Sequence, residues 1–128
     1  MSRELVHQLV ESWNRRDVDA MVALFDPECE VTFPPEVPEP GPFRGRVELR
    51  QWAEGFLAAW EVHHSEAVEV VDAEDGVVAV LRQVGRGAGS QLELDETDAH
   101  LLTVRDGRIV RWQNFSERAE ALAAAGFD

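Results

Sequence analysis

The sequence predicts an α+β domain, and three observations carry that prediction. Apolar residues over roughly the first 60 positions recur every three or four residues, the spacing of amphipathic helices. From about residue 62 onward they alternate with polar residues, the period of half-buried strands. Turn signals punctuate that second half at Glu74-Asp75-Gly76, at Gly85 to Ser90 and at Asp106-Gly107. Helices first and antiparallel strands after place the helices on one face of a sheet. The 128 residues fit one domain, 1–128, without internal repeats and long enough to bury a real core.

Ser2 is placed to cap a first helix with the apolar stripe Leu5, Val6, Leu9, Val10 and Trp13. Asn14 to Arg16 break it, and Asp17 caps a second short helix carrying Val18, Met21, Val22, Leu24 and Phe25, which Asp26-Pro27 stops. Cys29 to Phe33 reads as a short strand. The segment 34–42, PPEVPEPGP, forms neither helix nor central strand, because proline fixes φ and lacks the amide donor. Gly45 precedes the clearest helix, whose apolar face is Leu49, Trp52, Ala53, Phe56, Leu57 and Trp60. Strands follow over about 62–72, 77–85, 91–104 and 108–117, with Asp106-Gly107 the strongest hairpin signal. A last helical segment, Glu120 to Ala125, ends at Gly126.

Composition narrows the chemistry. There are 25 acidic residues against 12 basic ones, all of them Arg, for a formal net charge of −13. Without Lys or Tyr, a Schiff-base lysine, a phosphate-gripping lysine and a tyrosine oxyanion donor are excluded. An acidic surface does not suit nucleic acid or an anionic membrane. No apolar run reaches membrane-span length, and the N-terminus lacks a signal-peptide core, so a soluble cytoplasmic protein is expected. The lone Cys29 has no internal disulfide partner, and between Glu28 and Glu30 it reads as a small packing residue rather than a nucleophile.

Particular residues then point to a family. Trp13-Asn14 with Asp17, Ala23-Leu24-Phe25 before an acidic strand start, and Phe43-Arg44-Gly45 opening the third helix come in order. Asp106-Gly107-Arg108-Ile109 leads into Arg111-Trp112 and Phe115, and Arg118-Ala119-Glu120-Ala121-Leu122 closes the chain. In this order the chain resembles the SnoaL-like proteins of the nuclear transport factor 2-like superfamily, over almost its whole length. The resemblance implies a cone: a curved antiparallel or mixed sheet wrapped around a cavity closed by three N-terminal helices. The fold hosts isomerases, cyclases, epoxide hydrolases, dehydratases and non-catalytic binders, so it does not by itself fix a chemistry.

Each chemistry implied by the resemblance meets a replaced residue. The tyrosine, base and protonated aspartic acid of the ketosteroid isomerases fall on Leu9, Phe33 and His100. The Asp–Arg–Asp array of limonene-epoxide-hydrolase relatives falls on Ala79, Val77 and Asn114. The histidine of the polyketide cyclases is kept as His100, but their acid–base aspartate falls on Asn114, and an amide cannot transfer protons at neutral pH.

On alternation, His100 shares a face with Asp98 and Leu102, and Val110, Trp112 and Asn114 share the facing side of the next strand. His100 and Asp98 are therefore the candidate catalytic pair, the carboxylate orienting the imidazole, with Asn114, Trp112, Trp13, Phe33, Phe56 and Trp60 as candidate binding residues. The alternatives are a structural His100, an Asp98 that belongs to a solvated acidic face, and tryptophans that serve as core; a bulge would flip the face assignments. Either His63 or His64 is a rim histidine. No metal or other cofactor is expected, since His63, Asp98 and His100 lack a ligand-spacing motif. Gly85 to Ser90 joins two strands as a hairpin loop. Arg82, Arg111 and Gln113 point outward, and with Val78, Val80, Leu101 and Phe115 they favour a homodimer through the outer sheet face. Two functions follow: binding of a small hydrophobic or polycyclic metabolite with His100-dependent acid–base chemistry, or a non-catalytic binding or dimerisation module.

Overall fold

The apolar stripe of the N-terminus buries as helix α1 (Ser2–Asn14), with Val6, Leu9 and Trp13 turned inward. These and all later details come from a computed structural model that describes residues 2–127; the Ser2 side chain, expected as a cap, lies outside the described residues. Arg16 takes a left-handed conformation, φ 57°, and Asp17 then caps α2 (Val18–Val22) by accepting from the Ala20 amide at 3.0 Å.

Helix α2 is shorter than the apolar pattern predicts. Leu24 and Phe25 leave it because the sheet claims them: the Ile109 amide donates to the Leu24 carbonyl, and strand β1 (Phe25–Thr32) starts opposite Ile109. Pairing then skips from Phe25 to Glu30 across Pro27, which has no amide to offer. Phe33 lies just past the strand, its amide donating to the Pro40 carbonyl, so the proline-rich segment folds back into strand β2 (Phe43–Arg44) beside β1. Strand β2 has only two residues and no period to reveal it.

Helix α3 (Gly45–Ala58) buries Leu49, Ala53 and Leu57. Trp60, read as the end of that helical face, instead opens strand β3 (Trp60–Ala73), where it pairs with Gly87. Strands β4 (Gly76–Gly87), β5 (Glu93–Arg105) and β6 (Arg108–Phe115) follow, then helix α4 (Arg118–Ala124). The β5–β6 turn has φ 54° at Asp106 and 76° at Gly107, the two left-handed residues of a type I′ hairpin.

The six strands form one mixed sheet in the order β2-β1-β6-β5-β4-β3, with β1 and β6 parallel and the other pairs antiparallel. Irregularities at Trp60/Val62 and Ala67/Glu69 in β3 and at Thr103/Val104 in β5 bend it. The last of these corrects one expectation. It leaves Val110 unpaired and puts Ile109, not Val110, into the core beside Trp112.

Strand β4 is buried on both faces and feeds two cores. Val77, Ala79 and Leu81 pack with Leu102, Ile109 and Trp112 under α1 and α3, whereas Val78 and Val80 pack with Ala99, Leu101 and Ala121 of α4. That second core changes the reading of the outer face. Val78, Val80 and Leu101 were expected as a dimer surface; they are buried by this chain's own α4, against which Phe115 is also packed. A capping box between Glu117 and Glu120 starts α4, and Arg118 grips Glu69 of β3 through 2.7 Å and 2.9 Å bonds.

Close approach fixes one glycine. A Cβ on Gly76 would lie 1.9 Å from the carbonyl oxygen of Leu102, a backbone atom inside the sheet. Gly76→Ala is expected to cost about 2 kcal/mol or more, read as a lowered urea midpoint with an unchanged m-value.

Candidate functional site

Where α1 and α3 lie over the concave side of the sheet they leave a cavity of about 400 Å³. All four tryptophans of the chain line it. Trp13 stacks on Trp52 at 5.7 Å, Trp52 reaches Phe33 at 4.9 Å and Phe56 at 5.5 Å, and Trp112 closes edge-on to Trp52. Pro34 and Val37 of the proline-rich segment reach the same space. The eight residues expected at the site from the sequence (His100, Asp98, Asn114, Trp112, Trp13, Phe33, Phe56 and Trp60) all line this one cavity.

Strand β5 presents Asp98 and His100 to the cavity as i, i+2 neighbours. His100 is 3% exposed, and both of its ring nitrogens are engaged. The indole N–H of Trp112 donates to Nδ1 at 2.8 Å. Indole nitrogen only donates, so Nδ1 carries no proton and the neutral ring carries its hydrogen on Nε2. That N–H donates to Asp98 Oδ1 at 2.7 Å. Asp98 is therefore the partner of His100 rather than one more solvated acid on the strand.

The same carboxylate oxygen accepts a second, longer bond of 3.3 Å from Gln83 Nε2 on β4. Gln83 in turn accepts from the Ser65 hydroxyl on β3. Asn14 at the end of α1 locks that strand by bonding both the amide and the carbonyl of Ser65 at 2.8 Å and 2.9 Å. A continuous chain Ser65–Gln83–Asp98–His100–Trp112 thus crosses four neighbouring strands. Its one loose end is Asp98 Oδ2, which accepts nothing from the described residues, on a side chain that is 35% exposed.

His63, on β3 of the same sheet, repeats the His100 arrangement. Trp13 Nε1 donates to its Nδ1 at 2.9 Å, so the neutral ring again holds its hydrogen on Nε2, which has no partner among the described residues. Burial, rather than a place on the rim, characterises His63, which is 7% exposed. Its exposed neighbour His64 points to the other face of β3. Burial pushes the His63 pKa below the ordinary 6.5, with Asp98 partly opposing the shift.

The sign of the pH dependence follows. Below about pH 6.5 the unfolded chain takes up a proton at this site that the folded one resists. Stability contributed by His63 is present above that pH and is lost as the pH falls toward the folded value. Urea unfolding of the wild type and of His63→Gln between about pH 7.5 and about pH 5.5 is expected to give a shallower loss for the variant, whose amide still accepts from Trp13 but does not titrate.

Asn114 sits opposite His100 and donates to the Thr32 carbonyl at 2.9 Å, tying β6 to β1 at the cavity. Alternation alone did not reveal Trp52, Ser65, Gln83 and Glu96 as cavity residues. Gln83 continues the inward series Ala79, Leu81, and Trp52 lies on the predicted apolar face of α3, so both left a signal that reads equally well as core.

Among the described residues no group of three His, Cys, Asp or Glu side chains is disposed to hold a metal ion. Cys29 is fully buried, and its thiol pKa is pushed up chiefly by that burial. Among the described residues no helix is long and apolar enough to cross a membrane.

With this geometry in place, similarity to known proteins is informative. The profile of the SnoaL-like domain matches residues 6–112. Comparison with curated proteins finds no match. Among solved structures, a Catenulispora acidiphila protein with a ketosteroid isomerase-like fold, in complex with trimethylamine, superposes with a TM-score of 0.81 at 20% identity, covering 100% of this chain and 96% of its own. A candidate SnoaL-like polyketide cyclase from a Jannaschia species gives 0.79 at 19% identity, with coverages of 97% and 90%. A candidate polyketide cyclase from Sinorhizobium meliloti gives 0.72 at 23% identity, with coverages of 87% and 93%. At these identities the likeness is one of fold.

Proposed function

This chain belongs to the SnoaL-like domain family, and from that premise we propose that it binds a small, largely apolar metabolite in its cone, oriented by one hydrogen bond to Asp98. The observation that carries the reading is the pairing of an aromatic cavity with a pre-positioned acceptor, the Asp98 carboxylate held by His100 and Gln83. The family's cyclase-like acid–base chemistry transfers here in altered form. Both nitrogens of His100 are already bonded, one to an indole N–H and one to Asp98, so His100 is the positioning residue and Asp98 the group that meets the ligand. Any proton leaving the ligand goes to Asp98 Oδ2, while His63 Nε2–H, in the same cavity, donates to a ligand oxygen. A small organic occupant also agrees with the trimethylamine complex of the Catenulispora neighbour.

Calorimetry with naphthalene and 2-naphthol tests this reading. Both are expected to bind, 2-naphthol the more tightly because its hydroxyl donates to Asp98. Asp98→Leu is expected to abolish that preference while keeping naphthalene binding. Absence of binding by either compound refutes the pocket reading, and an unchanged preference in the variant refutes the role of Asp98. A homodimer through the outer sheet face would have to form on polar groups. With the apolar residues covered by α4, its support is reduced to polar groups such as Arg82, which is already engaged with Asp95 at 2.8 Å and 2.9 Å.

A further inference from the structure

The charge balance of the cavity points to the class of molecule it takes. The chain has 12 arginines, yet none lines the cavity, whereas Asp98 and Glu96 both do. Arg16, whose charge reaches His63, is held outside the lining by donating its guanidinium to the carbonyls of Leu57, Trp60 and Glu61. Each cavity histidine accepts an indole N–H at Nδ1, and adding a proton there would break that bond. The partners of Asp98 are an imidazole N–H and an amide N–H, with no guanidinium among them. A half-buried carboxylate thus shares a cavity with stacked aromatic rings and has no arginine in that lining to balance it.

We propose that the ligand brings the missing charge: the cavity takes a protonated tertiary amine bearing an apolar group. Its N–H donates to Asp98 Oδ2, and its N-alkyl carbons lie against the wall of Trp13, Trp52 and Phe56. Ring faces attract a cation through their quadrupole, most strongly for Trp, and the attraction grows as water is excluded. The same field rejects anions, because a carboxylate ligand would meet Asp98 and Glu96 with no arginine to offset them. This inference rests on the pocket-binding reading above and adds the charge of the occupant.

Isothermal titration at neutral pH with three probes of similar shape separates the possibilities: benzyldimethylammonium, its uncharged isostere isobutylbenzene, and the anion phenylacetate. The ammonium ion is expected to bind about tenfold or more tightly than isobutylbenzene, and phenylacetate not to bind. Asp98→Asn is expected to erase the preference for the cation while leaving isobutylbenzene affinity unchanged, which also certifies that the variant is folded. Glu96→Gln, at an exposed position, is expected to reduce the preference by about twofold. Isobutylbenzene binding as well as the cation, or a preference that survives Asp98→Asn, overturns the charge assignment and leaves the pocket reading standing. Failure of all three probes overturns both.

Discussion

Phe25→Ala is expected to destabilise the protein by about 3–5 kcal/mol. Phe25 is fully buried at the first residue of β1, where its ring meets Trp112 at 5.8 Å. Its backbone is as heavily used as its ring. The carbonyl accepts two bonds from the Arg46 guanidinium, at 2.9 Å and 2.5 Å, and the residue pairs with Ile109 across the parallel β1–β6 seam. Truncation leaves a ring-sized void under α3 that those constraints prevent from collapsing, so the cavity penalty adds fully to the lost transfer energy. For a chain of this size the melting temperature is expected to fall by roughly 10–20 °C, measurable by calorimetry. Because Trp112 leans on Phe25 and also holds His100, a second consequence is expected: the variant's tryptophan emission shifts to longer wavelength before global unfolding.

That coupling marks the boundary of what the sequence discloses. Helix faces and strand alternation are local, and together with the cone that the family resemblance implies they brought Trp13, Phe56, Asp98 and His100 into one cavity. Features that depend on a partner strand are not local. Leu24 and Phe25 continue a helical pattern, and only the pairing with Ile109 draws them into β1. Trp60 falls on the helical period of α3 and yet pairs with Gly87. The bulge beside Val110 inverts one face assignment through a single extra residue. The outer apolar residues look unpartnered until α4 folds over them. At the site, the i, i+2 spacing made the Asp98–His100 contact legible. The Gln83 bond to Asp98 and the Trp112 bond to His100 required the β4–β5–β6 register.

His100→Ala and His100→Gln are expected to differ sharply, and the contrast decides between a proton-carrying and a positioning histidine. Alanine removes a side chain that is 3% exposed, leaves the Trp112 N–H without its acceptor and frees Asp98 from its shortest bond. The expected cost is about 2–4 kcal/mol of stability, from the void and the unpaired donor together. The expected loss is about tenfold or more in affinity for benzyldimethylammonium, because Asp98 Oδ2 is no longer aimed. Glutamine has one acceptor and two donors on a planar amide, so it can accept from Trp112 and donate to Asp98 but cannot carry a proton. If His100 positions Asp98, His100→Gln stays within about 1 kcal/mol of wild-type stability and within about threefold of its affinity. If the imidazole itself exchanges protons with the ligand, glutamine fails as completely as alanine. Equal losses in the two variants would return the chemistry to His100; rescue by glutamine leaves it on Asp98, whose Oδ2 accepts from none of the described residues.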